Sequence, residues 1–170
     1  MTTPRIAAMQ TMTSPSSTAD REIVTTRLID APRELVFEAW TDPQHVAHWF
    51  GPNGFVTTNH AMDVRPGGVW RFTMRGPDGK DWPNVVTYEQ VVRPERLVYV
   101  HGDDKEPDMF QTTVTFDDVE GKTALTMRAV FKTAAAREFV VRERGAVEGG
   151  QQTVARLERY VRTMAPSAAN

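Results

Sequence analysis

Between Phe55 and Phe131 the sequence is cut at short intervals by turn-forming clusters: RPGG (65–68), GPDG (76–79), RPER (93–96), GDDKEPD (102–108) and VEGK (119–122). The runs between them alternate apolar and polar residues, the period of a half-buried strand, and this punctuation predicts an antiparallel meander of about six strands. In VWRFTMR, Trp70, Phe72 and Met74 fall on one face and Arg71, Thr73 and Arg75 on the other, because successive side chains point to opposite sides of a strand. One face of the sheet is therefore wet and the other must be covered.

The cover follows in sequence. From Ala134 to Met164 there is no proline, and Phe139, Ala146, Thr153, Leu157, Tyr160, Val161 and Met164 recur at helical spacing. That pattern predicts one long amphipathic helix lying across the apolar face. Upstream, EIVTTRLID (22–30) is rich in β-branched residues and reads as a strand. In APRELVFEAWTDP (31–43) the period changes: Pro32 suits a first helical turn, and Leu35, Val36, Ala39 and Trp40 form one helix face. Pro43 breaks that helix, and Asp42 is placed to cap a second, short one carrying Val46 and Trp49, which Gly51, Pro52 and Gly54 end. The expectation is an α+β domain over residues 21–164, a curved antiparallel sheet wrapped around a C-terminal helix, with a cavity wherever the helix leaves the hollow unfilled.

Residues 1–20, rich in Thr, Ser, Pro and Ala and without the apolar stretch of a secretory signal, read as a flexible tail, and 165–170 as a second one. A chain of 170 residues with 40% hydrophobic residues supports one core. Its net charge of −2, with signs intermixed, leaves no basic stripe for a phosphate backbone, so nucleic acid is not an expected partner. No apolar run is long enough to cross a bilayer, which points to a cytoplasmic protein with no membrane partner. The lack of cysteine removes disulfides, thiolate metal sites and cysteine nucleophiles together.

Four stretches in order, AP..LVFEAWTDP....HWFGP, MDVRPGGVWRFTMRGPDG, PERLVYV and a final G...GGQQTVARLERYV, resemble the bacterial homologues of the activator of the heat-shock chaperone (Hsp90) ATPase. These are small helix-grip proteins of the SRPBCC, or START-like, superfamily, and the resemblance runs from about Glu22 to Val161. It implies the helix-grip fold. Function is less constrained, since the superfamily includes lipid transfer, hormone binding, polyketide cyclisation and co-chaperone roles. Tyr88 follows the family pattern, whereas Val86, Gln90, Arg93 and Gly150 stand where a Gly, a Glu, a Pro and a Trp are common. Gly150 would leave an indole-sized void beneath the helix unless Trp82 or Phe110 fills it.

Candidate chemistry is sparse. His45 and His48 share a helix face near Asp42, but the spacing fixes no third ligand, so they read as solvated residues beside the pocket and no metal is expected. His60 and Asp63 are expected on opposite faces of a strand. Tyr99 and His101 share a strand face and, with Tyr88 and Gln90 on the neighbouring strand, form a candidate polar cluster, either for acid–base chemistry or simply for hydrogen bonding in a core. Trp49 and Phe50 read as pocket rim or core. No nucleophile elbow or phosphate loop is present, and no cofactor is expected.

Three functions follow in order. The first is binding of a hydrophobic or amphipathic small molecule between Trp49, Phe50, Trp70, Phe72, Met74, Tyr88, Gln90, Tyr99 and His101 on one side and Phe139, Ala146, Gly150 and Leu157 on the other. The second is a cyclase- or hydrolase-like enzyme using Tyr99 and His101. The third is a chaperone ATPase cofactor, ranked last because proteins with that activity carry a further chaperone-binding domain that a twenty-residue tail does not replace.

Overall fold

Turn chemistry and alternation produce seven antiparallel strands: β1 (Glu22–Ile29), β2 (Val56–Met62), β3 (Val69–Arg75), β4 (Asp81–Val92), β5 (Arg96–Gly102), β6 (Phe110–Val119) and β7 (Lys122–Phe131). The structure is a computed structural model and describes residues 17–168, with side chains through Met164. Strands β2 to β7 form the expected meander, and β1 returns to pair with β7, giving the order β1-β7-β6-β5-β4-β3-β2. The RPGG turn is tied to β4, since Gly67 N–H donates to the Tyr88 carbonyl (2.8 Å) and Tyr88 N–H to the Gly68 carbonyl (3.0 Å). Only glycine fits at position 68, where a Cβ would collide with the Asp63 carbonyl.

Between β1 and β2 lie α1 (Arg33–Thr41) and α2 (Pro43–Val46). Asp42 caps α2 as its sequence position implies, accepting from Gln44 N–H at 2.8 Å. The buried side of α1 is Val36, Phe37, Ala39 and Trp40, with Leu35 at its margin. Trp40 packs edge-on against Trp49 (4.9 Å between centroids) and Phe116 (5.8 Å), an arrangement the ring quadrupoles favour. Trp40, Trp49, Trp70, Val114, Phe116, Val154 and Leu157 are all fully buried, and each such side chain stabilises the fold by roughly 1.5–3 kcal/mol.

The expected single helix over 134–164 is two helices, α3 (Ala134–Arg144) and α4 (Ala146–Ala168). Gly145 separates them, with φ 60° and ψ 41°, the left-handed conformation that caps a helix and that a side chain disfavours. Its consequence falls on Phe139, which belongs to α3 and is exposed. It packs under the Arg144 guanidinium, 5.2 Å from the ring centre. The helix across the sheet is therefore α4 alone, and it continues to Ala168, beyond the expected end at Met164. At the other end, residues 1–16 of the expected tail lie outside the described residues. Ala19–Arg21 form a single 3₁₀ turn, and the Thr18 hydroxyl donates to Glu22 Oε1 at 2.6 Å.

Candidate functional site

Because side chains alternate along a strand, one parity of each strand faces α4: Ile23 and Thr25 on β1, Met74 on β3, Tyr99 and His101 on β5, Phe110 and Thr112 on β6, and Met127, Ala129 and Phe131 on β7. These residues, together with Phe50, Gly51 and Pro52 after α2 and Ala146, Gly150 and Thr153 on α4, enclose a cavity of about 200 Å³. Small residues on both walls, Ala129 below and Ala146 above, leave the space open. No lining residue carries a formal charge.

Arg156 fixes the mouth. Its Nη1 donates to the Gly51 and Pro52 carbonyls, both at 2.8 Å, while Asn53 N–H donates to Gln152 Oε1 at 3.1 Å. The loop after α2 is thus pinned to α4. Gly51 has φ 117°, and a Cβ there would lie 3.0 Å from Met74 Cε, so the loop passes over the cavity only as glycine.

The polar groups inside are neutral. His101 is 9% exposed, and burial pulls its pKa down to about 4, because the imidazolium would lose its hydration without gaining a counter-charge. Its Nε2 lies 2.8 Å from Asn84 Oδ1. Burial raises the Tyr99 phenol well above its ordinary range, outweighing the Trp40 indole and Thr112 hydroxyl that favour ionisation. Tyr88 is raised likewise, by burial first and by Tyr99 second. The Tyr88 hydroxyl and Trp40 Nε1 are buried with no partner at hydrogen-bonding geometry among the described residues. Tyr99 and His101 rings are 6.3 Å apart between centroids at 52°, and the His101 hydrogen bond is to Asn84.

The thirteen residues expected at the pocket divide into three groups. Phe50, Met74, Tyr99, His101, Ala146 and Gly150 line the cavity. Trp49, Trp70, Phe72, Tyr88 and Leu157 are buried in the core beside it. Trp49 Nε1 donates to the Ala39 carbonyl (3.0 Å), Trp70 Nε1 to Asn59 Oδ1 (2.8 Å), and Trp70 stacks on Phe72 with centroids 4.0 Å apart. The structure does not bring Gln90 or Phe139 to the site. A bulge between Tyr88 and Gln90 shifts the register so that Gln90 pairs with Val98 and Val91 with the buried Leu97. Gln90 then leaves the cavity side and accepts from Arg96 Nε at 3.2 Å on the exposed face.

The void expected beneath Gly150 is not free space. A Cβ at 150 would lie 2.7 Å from Thr25 Oγ1, so the glycine allows α4 to approach β1 closely. Phe110 lines the cavity, as one of the two expected fillers. The other, Trp82, sits between the Lys80 ammonium (4.3 Å) and the Arg144 guanidinium (4.7 Å).

Several participants escape a reading of local motifs. Thr25, Thr112, Met127 and Phe131 share the parity of recognised core positions, and Asn84 is two residues along β4 from the buried Val86. Glu38 also joins Asp42 and His45 in a cluster whose ligand atoms lie within 4.8 Å of one another, a third member supplied by α1. His45 Nδ1 is 2.6 Å from the Tyr160 hydroxyl, and its Nε2 3.6 Å from Glu38 Oε2. His48 stacks on Tyr160 at 5.3 Å and 9°. The group ties α2 to α4 outside the cavity. His60 lies on the exposed face, its Nε2 2.8 Å from the Thr73 hydroxyl.

The family model described as Activator of Hsp90 ATPase homolog 1-like protein matches residues 30–162. No curated protein matches the chain. Among solved structures, a protein from Nitrosomonas europaea superposes with a TM-score of 0.78 at 24% identity, covering 87% of this chain and 98% of that one. One from Arthrobacter aurescens gives 0.77 at 19% identity, covering 87% and 90%. An AHSA1-like protein from Aeromonas hydrophila gives 0.67 at 23% identity, covering 85% and 94%. At these identities the likeness establishes the fold.

Proposed function

The chain belongs to the Activator of Hsp90 ATPase homolog 1-like family, and from that premise we propose that it binds a small apolar or amphipathic molecule in the cavity between the sheet and α4. The observation that carries this reading is the cavity's chemistry: about 200 Å³ walled by Phe, Met, Ile, Ala and Thr side chains, with a neutral His101 and Tyr99 and no charge. Predominantly apolar walls with a few convergent polar groups are the usual form of a small-molecule site.

An acid–base enzyme is less well supported. A general base works best with a pKa near the working pH, whereas His101 is pulled to about 4. No hydrogen bond joins it to the Tyr99 hydroxyl among the described residues. The activity that the family's description names, activation of the Hsp90 ATPase, is tested separately by chaperone ATPase turnover with and without the protein.

The binding reading is tested by native mass spectrometry of freshly purified protein and by titrating methyl-labelled protein with toluene. The expected result is a retained small molecule, or shifts confined to the methyls that line the cavity, those of Ile23, Met74, Met127, Ala129 and Ala146 among them. If no molecule is retained and toluene leaves those methyls unmoved, the reading is wrong.

A further inference from the structure

The cavity contains a hydrogen-bond acceptor whose orientation and protonation are dictated by residues behind it. Asn84 Nδ2 donates to the Trp82 carbonyl at 2.8 Å. Its amide is thereby fixed with Oδ1 turned to His101 Nε2, 2.8 Å away. A carbonyl oxygen only accepts, so Nε2 carries the hydrogen. In the neutral ring that leaves a bare lone pair on Nδ1. Neutrality is favoured by burial, which holds the pKa at about 4, and no carboxylate lines the cavity to stabilise an imidazolium. The Nδ1 atom has no partner among the described residues, although the ring is 9% exposed and forms part of the cavity wall. It is not one of the polar atoms that are both buried and unpaired, so solvent reaches it, and a ligand that displaces this solvent without supplying a donor leaves the acceptor unfilled at a cost.

Size narrows the partner further. A cavity of 150 Å³ lined by aliphatic and aromatic groups takes up benzene, so about 200 Å³ suits a ring system moderately larger. A formal charge on the occupant would lie unpaired against uncharged walls, which is costly.

We propose that the ligand is an uncharged ring compound, between benzene and a fused bicycle in size, that carries one O–H or N–H and donates it to His101 Nδ1. Asn84 acts as a positioning residue that sets the tautomer. This rests on the binding function proposed above and adds to it a requirement for a donor.

The test uses the full chain with indole, which has an N–H, and benzofuran, which has the same shape without one. Indole is expected to bind at least about tenfold more tightly by calorimetry, because benzofuran would shut solvent from Nδ1 without giving it a donor. Benzoate, similar in size but anionic, is expected to bind more weakly than indole by a comparable factor. Nitrogen-15 spectra of the imidazole add a readout that needs no variant: free protein should show Nε2 protonated and Nδ1 bare, and indole alone should move the Nδ1 resonance upfield. His101→Phe should reduce the affinity for indole to that for benzofuran.

If indole and benzofuran bind equally, or the ring carries its hydrogen on Nδ1, the donor requirement is wrong while the binding function stands. Benzoate binding as tightly as indole removes the requirement for an uncharged ligand. If no small molecule is retained by the purified protein and indole, benzofuran and toluene all fail to bind, the binding function falls, and the donor requirement with it.

Discussion

Gly150 lies against Thr25 so closely that a Cβ at position 150 would sit 2.7 Å from the threonine hydroxyl oxygen. Thr25 is buried and β-branched, with little freedom to move aside. Gly150→Ala gains roughly 0.8–1.0 kcal/mol of helix propensity, but it overpacks this contact at a cost of about 1–3 kcal/mol. The expected net effect in urea denaturation is a loss of stability. Adding Thr25→Ala should recover much of it, a non-additivity that marks the two residues as neighbours. Gly150→Trp should unfold the domain rather than simply fill the cavity.

Replacing Trp70 by Ala removes a fully buried indole, its stack on Phe72 and its hydrogen bond to Asn59. The expected cost is about 3–5 kcal/mol, measured by chemical denaturation. A change below about 1 kcal/mol would contradict the core placement.

Acid should expose the buried imidazole. His101 is held at about 4 in the folded protein against an ordinary 6.5. As pH falls below 6.5 the unfolded chain takes up a proton that the folded one refuses. Stability therefore falls between pH 6.5 and 4 and levels off below, by about 3 kcal/mol for this group. The rings of Phe72, Tyr99 and Phe110 face it, with Asn84. His101→Phe should flatten the pH dependence in that window, even though the loss of Asn84's partner lowers stability overall.

At the mouth, Arg156→Ala removes two hydrogen bonds to the Gly51 and Pro52 carbonyls. Amide hydrogen exchange should quicken at Asn53 and Phe55 while the core of β5 and β6 keeps its protection. Equal acceleration throughout would mean that the arginine supports the whole fold, not one loop.

The Gly145 turn gives a stability test of the helix break. Gly145→Ala forces a side chain into left-handed geometry and should cost about 1–2 kcal/mol. Gly145→Asn should cost less, because asparagine tolerates that conformation.

Alternation, turn clusters and the covered face of β3 were legible because each is a local property of a few residues. The break at Gly145 was harder to read: GAVEGG carries three glycines, and only the backbone conformation distinguishes the one that ends a helix from the two inside the next. Gln90 shows a second limit. Strict alternation from Tyr88 puts it with the pocket residues, and one bulged position reverses that assignment. Asn84 shows a third. Its relation to His101 is a diagonal contact between neighbouring strands, set by a register that places Val86 opposite His101, and nothing within either strand announces it.

The pairing of β1 with β7 bears on how the protein is made. β1 leaves the ribosome before β7, and its partner residues, Thr123 to Val130, are synthesised about a hundred residues later, an interval of roughly 5–20 s at ordinary translation rates. During that time Ile23, Val24, Leu28 and Ile29 belong to an unpaired, apolar strand, the kind of segment that seeks a partner in another nascent chain. The hairpins from β2 to β6 can assemble as they appear, but the cavity wall contributed by Ile23 and Thr25 is set in place among the last. A nascent chain halted before Phe131 would thus have most of its sheet and no closed cavity, since Ala146, Gly150 and Thr153 of its lining are still to come.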